Sequence, residues 1–196
     1  MAKQAERRAA TIEAILAAAR RLFGTQGFAA TTMDEIAGAA GIAKGAVYHH
    51  FKTKEAVFEA VFDQVSRDLV IEIDGAARAE KDVLAAMVAG TQHYFAATAK
   101  GPTGRIILRD GPAVLGWERW REIDAKHFGG KLPRALSIAM ESGLVAKQPV
   151  EPLARLLLGA VTEAAVACAG RADIARAGTE YARAFKSLVE ALRVTA

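Results

Sequence analysis

The chain has 196 residues, 52% hydrophobic and 24% charged, with a formal net charge of +4 and one cysteine, Cys168. That describes a globular protein with room for one or two domains and a sizeable core, and a lone cysteine excludes an internal disulfide and suits a reducing compartment. No apolar run is expected to reach the ~18 residues of a membrane span, and the opening MAKQAERRAA lacks the apolar core of a signal peptide, so a cytoplasmic protein is expected.

In chain order the pattern is helical throughout, with no sustained period-2 alternation. The first helix is expected from about Ala5 to Gly24, where Ile12, Ile15, Leu16, Ala19, Leu22 and Phe23 recur at spacings of three and four. Next comes TTMDEIAGAAGIAKGAVYHHFKTK, from Thr31 to Lys54. Thr32 followed three residues later by Glu35 is a capping box, and Met33, Ile36, Ala37 and Ala40 share one face. Gly41 supplies the turn, since glycine adopts positive φ without penalty. A second short helix runs from about Ala43 to His50, with Val47 and Phe51 inward and Lys44, Tyr48 and His49 outward. Two short helices around a glycine turn, spanning residues 32–51, make a helix-turn-helix whose second helix reads the major groove of DNA.

A fourth helix is expected over 53–75, capped by Thr53, with Glu55 in its first turn and Val57, Phe58, Val61, Phe62, Val65 and Leu69 on one face. Helices follow at Glu80 to Lys100, Thr103 to Asp110, Ala113 to His127, Leu132 to Ser142, from Pro149 to about Gly170, and from Asp173 to Arg193. Gly101-Pro102, Gly111-Pro112, Gly129-Gly130 and Gly143 are the expected breaks.

Charge is uneven along the chain. Residues 1–54 hold eight Lys/Arg and four Asp/Glu, which accounts for the whole excess; the other 142 residues hold 18 of each sign. The excess falls on the part expected to meet phosphates.

The segment from about residue 8 to 68 resembles the DNA-binding domain of TetR-type transcriptional regulators, without a gap. The matching residues are Phe23 to Phe28 (FGTQGF), Thr31-Thr32, Ile36-Ala37, Ala40-Gly41-Ile42, Gly45, Tyr48, Phe51 and Lys54-Glu55. The resemblance implies an all-α protein. Residues 1–54 form a three-helix DNA-binding domain. Residues 55–196 form an effector-binding and dimerisation domain, entered through the linking helix 53–75. It also implies DNA contact at Thr32, Lys44, Gly45, Tyr48, His49 and Lys54; chemistry adds Lys52 as a backbone clamp. Tyr48 can pack on a thymine methyl and meet a phosphate, Lys44 can reach guanine or a phosphate, and the helix N-terminus at Thr32 suits a phosphate. His49 and His50 point about 100° apart on a helix and are not expected to share a metal.

The middle helices are expected to hold a small-molecule effector, with Met87, Thr91, Tyr94, Phe95, Arg105, Arg109, Trp117, Trp120, Phe128, Met140 and Glu163 as candidate contacts and His93 as a further polar handle. Trp117 and Trp120 read equally as core, and Cys168 as a small hydrophobe. The last two helices carry Leu153, Leu157, Val161, Ala164, Tyr181, Phe185 and Leu188, which read as ordinary core or as a four-helix bundle between two copies. The resemblance favours the bundle, since a single helix-turn-helix needs a two-fold partner to read a palindrome. The expected function is a ligand-released repressor on double-stranded DNA, with a regulator controlled by a protein partner as the alternative. No cofactor, metal site or catalytic constellation is expected, because no nucleophile–base pair, HExxH, CxxC or phosphate loop appears.

Overall fold

The structure, a computed structural model, describes residues 2–99 and 101–194. Among these the chain is all-α; its extended pairing is one isolated bridge between Val145 and Arg193. The helices are α1 Ala2–Gln26, α2 Met33–Ala40, α3 Lys44–His50, α4 Lys54–Arg78, α5 Val83–Thr98 and α6 Gly101–Gly104. A π-helical segment, Arg105–Asp110, leads into α7 Gly111–Phe128, α8 Lys131–Glu141, α9 Val150–Ala169 and α10 Ile174–Glu190. The helix end expected at Lys100 lies outside the described residues.

Two compact units emerge. One comprises Met1–Val65 with Gly101–Trp120, the other Ser66–Lys100 with Arg121–Ala196. Both α4 and α7 contribute residues to each unit. This partition is geometric; the functional division at residue 54 is taken up below as a proposal.

In the first unit, α1 buries Ile15, Leu16, Ala19 and Phe23. Phe23, Phe28, Phe58 and Phe62 form a chain of ring contacts, with Phe23–Phe58 and Phe28–Phe58 edge to face at centroid separations of 5.2 and 5.3 Å. The segment from residue 101 packs on this core. A Cβ at Gly24 would collide with Pro102, so the glycine admits the close approach. Likewise a Cβ at Gly111 would lie 2.7 Å from Phe62 and 3.2 Å from Trp120.

The break expected at Gly111-Pro112 is absent. Gly111 continues the helix, its N–H donating to the Ile106 carbonyl five residues back in the π pattern, and Pro112 follows it within α7. The interruption comes instead at Gly116, with φ 74° and ψ 159°, a conformation available to glycine alone.

In the second unit, Leu84, Met87, Val88, Leu136, Ala139, Met140, Ala154, Leu157, Phe185 and Val189 form one core. Asp82 caps α5 by accepting from the Ala85 N–H at 2.9 Å, and its two carboxylate oxygens both accept from Arg193 Nη2 at 2.8 and 2.7 Å, which ties Arg193 to the start of α5. These bonds hold the Asp82 carboxyl below its ordinary value, the backbone bond to Ala85 foremost. The expectation that no apolar run reaches a span's length is corrected by α9, which is long and apolar enough by length and composition. It also carries Glu151, Arg155 and Glu163 and sends one face into the core, so its length is that of a core helix with an uncovered apolar side.

Candidate nucleic-acid interface

Thr32 starts α2 as its N-cap, and its hydroxyl accepts from the Glu35 N–H at 3.2 Å. Glu35 Oε2 accepts in return from the Thr32 N–H at 2.7 Å, and this bond, with the Thr32 hydroxyl bond next, holds the Glu35 carboxyl below its usual value. The capping box is therefore complete. Removing it in Thr32→Ala is expected to cost about 1 kcal/mol of stability, read as a lower urea midpoint at unchanged m-value. An unchanged midpoint would mean that the box stabilises nothing.

Gly41 ends α2 with φ 68°, in the left-handed region, and its N–H reaches the Ala37 and Gly38 carbonyls. The chain then enters α3 with Val47 fully buried, which fixes the rotation of this short helix. Lys44, Gly45, Tyr48 and His49 face outward, Tyr48 with 38% of its surface exposed. At spacing i, i+4, Lys44 Nζ lies 6.0 Å from the Tyr48 ring centroid. An added Cβ at Gly45 meets nothing within 4 Å, so the helix surface there is open to a close approach.

Lys44 is paired within the head. Its Nζ donates to Asp34 at 2.8–2.9 Å, and that hydrogen bond raises the Lys44 pKa above the ordinary lysine value. An exposed pair of this kind is weak and screened by salt, so a phosphate or guanine can replace Asp34 at little cost. Lys52 is exposed. Lys54 is half-buried: its Nζ donates to the Phe28 and Thr31 carbonyls at 2.8 and 2.7 Å and lies 4.2 Å from the Phe28 ring centroid. It fastens the α1–α2 loop to the start of α4 and holds a positive charge near α2.

Two partners escaped the sequence reading. Asp34 opposite Lys44 spans ten residues and a turn. Asp110 accepts the Phe28 N–H at 2.8 Å across 82 residues, an acceptor for the α1–α2 loop that no local spacing signals.

The expected effector contacts fall in both units. In the first, Arg105 is half-buried against Gly27, Arg109 is exposed, and Trp117, 49% exposed, stacks on the buried Trp120 at 5.2 Å and 20°. Trp120 Nε1 is buried without a hydrogen-bond partner. In the second, Met87 belongs to the core, Thr91 is half-buried, Tyr94 is buried and Glu163 is exposed. His93 Nε2 lies 3.1 Å from Glu72. A surface groove of about 390 Å³ runs between α5 and α10 past Gln92, Phe95, Gly178, Thr179, Arg183 and Lys186, and of the expected contacts it includes Phe95.

The expected dimer residues divide similarly. Leu157 and Phe185 are buried in the chain's own core, Leu153 and Val161 pack against it, and Ala164 is buried. Tyr181 is half-buried, stacked on Phe95 at 6.5 Å. Leu188 is 52% exposed. The uncovered face of α9 is the neighbouring stripe: Leu156 at 73%, exposed Gly159, Ala160 and Glu163, and Val166 at 39%.

Comparison with known proteins matches both ends of the chain. Residues 15–61 match the family described as "Bacterial regulatory proteins, tetR family", and residues 84–192 match "Tetracyclin repressor-like, C-terminal domain". The chain is 27% identical over 159 residues to the transposon Tn10 TetC protein of Escherichia coli, covering 80% of this chain and 79% of that one. It is 30% identical over 183 residues to the A-factor receptor protein of Streptomyces griseus, covering 89% of this chain and 61% of the receptor. The crystal structure of a TetR-family transcriptional regulator from Pectobacterium atrosepticum superposes with a TM-score of 0.85 at 27% identity, covering 100% of this chain and 98% of the other.

Proposed function

The chain belongs to the TetR family of DNA-binding transcriptional regulators, and from that premise we propose that it is a repressor released from a palindromic operator by a small apolar or aromatic effector. One observation carries the reading: α3 presents Lys44, Gly45, Tyr48 and His49 on a single exposed face while Val47 anchors the other side. In this reading residues 1–54 read DNA, Thr32, Lys52 and Lys54 set the phosphate register, and residues 55–196 bind the effector and dimerise. The proposed effector contacts are Met87, Thr91, Tyr94, Arg105, Arg109, Trp117, Trp120 and Glu163. Two copies pair through α9 and α10, and the protein works in the cytoplasm.

The effector acts by preferring a conformation in which the two heads no longer match the half-site spacing; a preference of about 3–5 kcal/mol suffices. Asp110 supports a route for the signal, because it bonds the segment leading into α7 to the Phe28 N–H at the entrance to the helix-turn-helix.

A gel shift of the purified protein on its own upstream DNA, across a salt series, tests the reading. Binding to one palindromic fragment is expected, with log K falling by about 0.9 per phosphate neutralised for each decade of salt. Weak binding to every fragment alike would reject it.

A further inference from the structure

The groove between α5 and α10 combines an apolar floor with an edge whose charges are all positive. The two helices cross closely at Gly178, where an added Cβ would lie 3.3 Å from Phe95 Cβ and 3.5 Å from the Phe95 carbonyl oxygen; both residues belong to the second unit. Beside that crossing the helices leave the groove of about 390 Å³, within the roughly 300–1,000 Å³ of small-molecule sites. Buried Phe95 and Ala182 make its floor, with exposed Ala96 on α5 and half-buried Ala175 on α10. Arg183 and Lys186, three residues apart on one side of α10, stand along its edge.

That edge lacks compensating negative charge. Among the described residues that line the groove, none is acidic. The Arg183 guanidinium has no hydrogen bond or ion pair among the described residues. The Lys186 ammonium has one exposed pair, with Glu190 at 3.6 Å, which solvent screens. Two like charges on one helix face repel, and an anion set between them relieves the repulsion. The guanidinium fork also matches a carboxylate in two parallel hydrogen bonds.

The groove stays open in the proposed dimer. Thr179 lines it, and Leu188, the exposed α10 residue expected between two copies, stands nine residues further on. Nine residues are about two and a half helical turns, so the two side chains leave α10 in opposite directions.

An apolar floor below uncompensated cations selects an amphiphilic anion. A neutral hydrocarbon leaves the cations unused, and an ammonium group meets them with like charge. We propose that this groove binds an organic acid, its carboxylate held by Arg183 and Lys186 and its apolar body laid along Phe95, Ala96 and Ala182. Of the expected effector contacts only Phe95 lies here, so the site stands whether or not the effector reading holds.

Calorimetric titration of the full chain with octanoate, octanol and octylammonium tests it. Octanoate is expected to bind about 10-fold more tightly than octanol, the low end for hydrogen bonds to charged groups because the groove is open to solvent. Added salt should shrink that preference by screening the carboxylate from the two cations. Arg183→Gln combined with Lys186→Gln should bring octanoate down to the affinity of octanol, and Ala96→Trp should weaken both ligands by filling the groove. All three side chains are exposed, so the variants are expected to melt with the parent, which circular dichroism checks. Should Ala96→Trp disturb the packing, the charge variant still decides.

Four results overturn the proposal. Octanoate and octanol binding equally would show that the cations hold nothing. Octylammonium binding tightest would show that the site takes a cation. A preference for octanoate that survives the charge variant would place the ligand elsewhere. Absence of octanoate binding would show that the groove is surface relief alone.

Discussion

Tyr48→Ala should weaken operator binding by about 30- to 1000-fold while leaving the fold intact. Each ring is placed to contribute a thymine-methyl contact and a phosphate hydrogen bond, about 1–2 kcal/mol together, and a two-fold complex contains two. The fold is spared because Tyr48 is 38% exposed while its neighbour Val47 is fully buried. Exposed substitutions of this kind shift stability by about 0.5 kcal/mol or less. Fluorescence anisotropy on the palindromic fragment measures the loss, and thermal melting by circular dichroism monitors the fold. An affinity within twofold of the parent, with the melt unchanged, would show that α3 does not read this DNA through Tyr48.

Opposite charges of expectation attach to two adjacent leucines of α9. Leu156→Glu combined with Leu188→Glu should convert the proposed dimer to a monomer and lower operator affinity by two orders of magnitude or more. Both side chains are more than half exposed, and Leu156 precedes Gly159 and Ala160 on α9 by three and four residues, whose small size lets a second pair of helices approach closely. An isologous interface doubles the effect, since each substitution appears twice. Leu157→Ala should instead destabilise each subunit by about 2–5 kcal/mol, because Leu157 is 6% exposed within the subunit's own core. Sedimentation velocity distinguishes the two. A double variant that stays dimeric would remove α9 and α10 from the interface.

Much of the reading head was legible in the chain because its signals are local. The capping box Thr32–Glu35, the positive φ at Gly41 and the inward Val47 each depend on residues within one turn, so spacing determined them. The linking helix was legible for the same reason, as its apolar residues recur at helical spacing and Val57, Phe58, Val61, Phe62, Val65 and Leu69 are all buried.

Elsewhere local rules and tertiary packing diverged. Glycine followed by proline reads as a break, yet Gly111-Pro112 continues a helix, and Gly111 fits against Phe62 and Trp120. On α9 the periodicity showed a broad apolar surface but not which part faces inward; packing assigned Leu157 to the core and left Leu156 to solvent. For Lys54 the local sequence offers only a positive charge; the two carbonyls its ammonium also holds, 23 and 26 residues away, come from packing.

What the sequence by itself determined is the helical character, the reading head and the family, since capping, turn chemistry and periodicity act over a few residues. What only the tertiary structure decided is which distant groups meet: Asp110 bonded to Phe28 across 82 residues, Lys44 held by Asp34, and Arg193 held by Asp82. The physical reason is that hydrogen bonds and desolvation depend on distances between helices, and those follow from the packing of the whole core rather than from any short stretch of chain.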